Sequence, residues 1–184
     1  MCAAHKTSTL AGVALAAAVL TGCAPDPAPA AQEAAPSPAA AVAWMNGFCG
    51  AVKDFIDGNN KMSSASGETL EAVKKSTSDQ LGHYAAILAK TVDGLGALPA
   101  APVPAGDAAK REFLAKYTSA RDKTVKAKAG LDAAGTNDTA AQSRAVEGLL
   151  AAQKDTHGAL DPVAAVLGAP ELKTAAASAE RCRP

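Results

Sequence analysis

The stretch LEAVKKSTSDQLGHYAAILAKTV, residues 70–92, decides the fold. Leu70, Val73, Thr77, Leu81, Tyr84, Leu88 and Val92 recur at spacings of three and four, which gathers them on one face of an α-helix. Glu68 and Glu71 lie where the positive end of that helix's dipole favours carboxylates, so the helix is predicted from about Ser66 to Val92.

The same period continues on both sides. Upstream, Trp44, Phe48, Val52 and Phe55, widened by Ile56, form a second apolar stripe that stops at Gly58-Asn59-Asn60. Downstream, Gly94, Gly96 and the prolines between Pro99 and Pro104 are read as a break. A helix from about Asp107 to Ala134 then carries Phe113, Tyr117, Ala120, Thr124, Ala127 and Leu131 in register. Gly135-Thr136-Asn137-Asp138 ends it and caps a helix from about Thr139 to Leu167, whose stripe runs through Val146, Leu149, Leu150, Leu160 and Val163. Pro162 should kink that helix or split off its last turn, and Pro170 should open a short fifth one ending near Cys182. Alanine dominates, aromatics are few, and branched residues rarely alternate with polar ones, so no strands are predicted. The expected fold is all-α: a four-helix up-down bundle with a short fifth C-terminal helix, spanning residues 42–184.

The N-terminus reads differently. Lys6 precedes an apolar run from Leu10 to Leu20, too short for a membrane-spanning helix and right for a signal peptide. It closes on Leu20-Thr21-Gly22-Cys23, which resembles the lipobox of bacterial lipoproteins. The resemblance implies removal of residues 1–22 and diacylglycerol on the Cys23 sulfur. Two chains suffice for stable attachment, so it also implies a membrane partner through Cys23 and a place on the extracytoplasmic face of the cell membrane. Ala24 to about Ala41 holds five prolines and only Asp26 and Glu33 as charges. Such a segment buries too little to offset its ordering entropy and is predicted to be a disordered tether, reaching roughly 55 Å at polyproline-II rise.

Of four cysteines, cleavage would remove Cys2 and lipid would occupy Cys23. Cys49 and Cys182 remain, and in an exported chain a disulfide between them is the economical pairing. The competing readings are two free thiols or a metal pair. No CxxC and no clustered histidine accompanies them, which makes a poor metal motif.

Charge and motifs narrow the function. Basic and acidic residues number 18 each, and the leader takes away only Lys6, so the near-neutral mature chain lacks the basic excess of a nucleic-acid binder. Gly94-Leu95-Gly96 lacks the third glycine and preceding strand of a phosphate loop; GxxxxGK[ST], HExxH and GxSxG do not occur. Asp79/His83 and His157/Asp161 each share a helix face, as ligands or an acid–base pair would. By helical phase, however, His83 lies roughly 140° from its apolar stripe and His157 roughly 60° from its own, so a shared core site is not expected. The third helix carries Lys110, Arg111, Lys116, Arg121, Lys123, Lys126 and Lys128, readable as a face for lipid headgroups or anionic polymers, or as a solvated face interleaved with acids. Trp44, Phe48 and Phe55 sit at core spacing, and an apolar pocket among them is the alternative.

The Trp44, Phe48, Cys49 start and the Glu180-Arg181-Cys182 end are similar to the uncharacterised small secreted proteins and lipoproteins of high-GC Gram-positive bacteria, a family with no activity to transfer. The expectation is therefore a non-enzymatic, cofactor-free binding module held on the cell envelope, with an envelope protein or anionic polymer as partner. The alternative is a carrier of a small apolar ligand or metal in the bundle core.

Overall fold

The computed structural model describes residues 37–157 and 166–183, all within one compact unit, Ala35–Pro184. The leader, Cys23 and most of the tether lie outside the described residues, as do Leu160, Asp161, Pro162 and Val163. Helix α1 is Pro38–Asn60, α2 Leu70–Gly96, α3 Pro104–Ala133, α4 Thr139–His157 and α5 Pro170–Ser178, followed by a 3-10 turn at Glu180–Cys182. No β-strand occurs among the described residues. Each long helix packs on the next in sequence, and α5 with the 3-10 turn lies against α1. This is a four-helix bundle with a fifth C-terminal helix.

Local chemistry sets the ends. The Ser37 hydroxyl accepts from the Ala40 N–H at 3.2 Å and Pro38 occupies the first turn, so α1 starts four residues before the predicted domain boundary at residue 42. Thr69 caps α2 in the same way through Ala72, which shortens the predicted start at Ser66 and leaves Leu70 exposed. The Asp138 carboxylate accepts from the Ala141 N–H at 2.8 Å and opens α4 as predicted. Between α2 and α3, Asp107 accepts from the Ala101 N–H at 2.9 Å, and Lys110 donates to the Leu98 carbonyl.

Two expectations fail on packing grounds. Helix α2 ends within the Gly94-Leu95-Gly96 break, but at Gly96 and not at Val92, with Leu95 fully buried. A Cβ on Gly94 would lie 3.3 Å from the Cβ of Ala51, so this glycine serves the close approach of α1 and α2. On α4 the buried positions are Ala141, Ala145, Leu149, Ala152 and Thr156, whereas Val146 and Leu150 are exposed. Small residues take the core face there because α3 comes close: a Cβ on Gly148 would stand 2.6 Å from the Cβ of Ala127.

Every aromatic residue of the chain joins one chain of ring contacts through the core. Trp44 stacks on Phe48 at 5.2 Å, Phe48 meets Phe113 edge-on at 5.0 Å, and Phe113 stacks on Tyr117 at 5.9 Å. Tyr117 meets Phe55 at 4.9 Å, and Phe55 reaches Tyr84 at 6.1 Å. Such pairs contribute about 0.5–1.5 kcal/mol each beyond their burial, and here they tie α1 to both α2 and α3. Two of the aromatic residues also bond through polar atoms: the Trp44 indole donates to the Pro99 carbonyl at 3.3 Å, and the Tyr84 hydroxyl bonds Thr156 Oγ1 at 3.0 Å.

Candidate functional site

The C-terminus reaches α1 through a covalent clip. Cys49 and Cys182 are joined at an S–S distance of 2.02 Å across 133 residues of sequence, with Cα atoms 5.0 Å apart. Around that bond the Arg181 N–H donates to Asn46 Oδ1 at 3.0 Å, and the Arg181 guanidinium donates to the Gly50 carbonyl at 3.2 Å and to Asp54 Oδ1 at 2.5 Å. The arginine crosses α1 at Gly50, where an added Cβ would lie 3.4 Å from Nε. Lys90 of α2 reaches the other oxygen of Asp54 at 3.0 Å. Hydrogen bonding from Lys90 holds the Asp54 carboxyl below the usual carboxylate range; burial opposes it, and the bond from Arg181 adds to the lowering.

Beside the clip lies a groove of about 490 Å³. Met45, Phe48, Val52 and Ile56 of α1 form one side, and Val166 and Leu167 face them. Ile56 and Leu167 are 45% and 46% exposed, large apolar side chains left open to solvent on the two lips. Lys53, Arg181 and Arg183 also line it, and among the described residues no acid does. Arg181 is committed to Asp54, while no ion pair among the described residues engages Lys53 or Arg183. The result is an apolar trough with cations along its edge, a shape and chemistry suited to a ligand that is apolar along its length and negative at an end.

The residues singled out in the sequence fare unequally. Cys23 lies outside the described residues. Cys49 and Cys182 form the disulfide. His83 is exposed, and its neighbour Asp79 pairs with Lys75 at 2.6 Å. His157 is exposed too, further out than its phase predicts, with Nδ1 2.8 Å from the Gln153 carbonyl; Asp161 is outside the described residues. On α3, Lys116 pairs with Glu112, Arg121 with Asp122, Lys123 with Asp155 and Lys128 with Asp132, so much of the basic face is answered by its own acids. Trp44, Phe48 and Phe55 are 3%, 3% and 9% exposed and pack in the aromatic chain. The groove went unrecognised in the sequence, although Cys182 flanked by Arg181 and Arg183, with Lys53 one turn beyond Cys49, carried its cationic edge.

No helix among the described residues is long and apolar enough to cross a membrane. No protein-family model, curated protein or solved structure matches the chain.

Proposed function

We propose that this chain is a cell-surface lipoprotein, anchored through diacylglycerol on Cys23, whose helical domain is a non-enzymatic binding module for an anionic component of the cell envelope. The observation that carries the reading is the use of the cysteines. The disulfide takes Cys49 and Cys182, the two that a lipobox at Leu20-Thr21-Gly22-Cys23 leaves over, and a structural disulfide suits an exported chain. The groove beside that bond supplies a place to bind, and its edge favours negative charge. Rings pack along the core where a carrier's ligand would have to lie, which favours a surface module over a core carrier.

The test is to feed the producing cells an alkyne-tagged palmitate and follow label and membrane retention of the full chain. Label on the wild type that disappears in Cys23→Ala, together with accumulation of the uncleaved precursor, supports the reading. Label that persists in Cys23→Ala, or a wild type that takes none, overturns the anchor.

A further inference from the structure

The groove beside the disulfide has a chemistry specific enough to name an occupant. Its walls are Met45, Phe48, Val52 and Ile56 against Val166 and Leu167, all apolar side chains. Its volume of about 490 Å³ falls in the range of small-molecule sites, roughly 300–1,000 Å³. It is a half-open depression between the exposed lips Ile56 and Leu167, so a chain would lie along it with one side toward solvent. Among the described residues its charged lining is all cationic: Lys53, Arg181 and Arg183. Asp54, the nearest acid to Arg181, is already bonded to both Arg181 and Lys90. The disulfide and the Arg181 bonds to Asn46, Gly50 and Asp54 hold the floor in place before any ligand arrives, which lowers the cost of binding.

We propose that this groove binds a free single-chain fatty carboxylate, its hydrocarbon laid between α1 and Val166–Leu167 and its carboxylate met by Lys53 and Arg183. The proposal rests on the binding-module reading above and names the ligand class of that module. Charge complementarity sets the polarity of the ligand: an anionic end gains charge-assisted hydrogen bonds at the edge, and a cationic end of equal length is repelled there.

The experiment uses the purified, oxidised full chain and two probes below their micelle concentrations, dodecanoate and dodecyltrimethylammonium, titrated calorimetrically. Dodecanoate should bind at least about tenfold more tightly than the cation, and Lys53→Gln/Arg183→Gln should weaken dodecanoate by about the same factor with an unchanged melting temperature. Ile56→Ser should weaken both probes. Equal binding of the two probes, binding of neither, or a charge variant indistinguishable from wild type overturns the proposal. Binding confined to vesicles of anionic phospholipid overturns it too, because it makes the face a membrane-surface contact. Failure here leaves the Cys23 label untouched, so the ligand and the anchor are judged separately.

Discussion

A single methyl separates tolerable from intolerable at two glycines of the α3–α4 pair. At Gly148 an added Cβ would stand 2.6 Å from the Cβ of Ala127, an atom fixed to backbone that cannot swing aside. At Gly130 nothing lies within 4 Å. Alanine gains about 1 kcal/mol over glycine in helix propensity, while overpacking a close contact costs about 1–3 kcal/mol. Gly130→Ala should therefore raise stability by up to about 1 kcal/mol, and Gly148→Ala should lower it by up to about 2 kcal/mol, both read from urea unfolding. Tyr84 offers a second contrast. Thr156 Oγ1 donates to the Gln153 carbonyl at 2.9 Å, so the Tyr84 hydroxyl is the donor in the bond between them. Tyr84→Phe removes that donor without disturbing ring packing and should cost about 1 kcal/mol in the same measurement.

At the scale of elements, the C-terminal turn depends on its bond to α1. In the chain-entropy account, closing a loop of this length stabilises the fold by about 5 kcal/mol. Cys49→Ala/Cys182→Ala, or reduction, should lower stability by about 4–5 kcal/mol and raise amide exchange first in α5 and the 3-10 turn, which pack chiefly on α1. Unchanged exchange in α5 would show that its apolar contacts, with Leu172 and Ala175 buried, hold it unaided.

How far the sequence reveals each element follows from what its side chains say. The aromatic stripes of α1 and α3 and the Leu81–Tyr84–Leu88 face of α2 are visible because large residues mark a core face unambiguously. Helix α4 misleads because its core face is built from Ala141, Ala145 and Ala152, and the larger Val146 and Leu150 draw the apolar stripe toward solvent. Gly94 misleads because a glycine that lets two helices approach looks, in one dimension, like one that ends a helix. The disulfide is readable from cysteine arithmetic, but the groove is not. It joins Val52 and Ile56 to Val166 and Leu167, an adjacency that arises only when the chain folds back on α1.

For the whole molecule, buried tyrosines and paired aspartates set the pH limits. Burial raises the pKa of both Tyr84 and Tyr117; at Tyr84 the Asp155 charge adds to this, and at Tyr117 the nearby Tyr84 does. A folded-state pKa above the unfolded value of about 10 means that stability is whole below that pH and falls as pH rises beyond it, because only the unfolded chain releases the protons readily. The acid side has the opposite sign. Asp132 is lowered by its bonds from Lys128 and Ser78; at Asp155 burial pushes upward, but Lys123 and Ser119 outweigh it; Asp54 is lowered by Lys90 and Arg181. Their contribution is present above an unfolded carboxylate pKa of about 3.9 and is lost as pH falls below it. Melting temperature against pH should thus show a plateau bounded by a loss below about pH 4 and another above about pH 10, and a flat profile through pH 11 would contradict the burial of the tyrosines.

The proposed anchor would rest on one sulfur, that of Cys23, and the clip on two others that carry each other. The intact mass of the unreduced protein, extracted gently from its host's membranes, reads both at once. The account predicts a chain that begins at Cys23, carries diacylglycerol, and is lighter than its reduced form by one pair of hydrogens. A chain without lipid, one that begins elsewhere, or one with Cys49 and Cys182 as free thiols would contradict it.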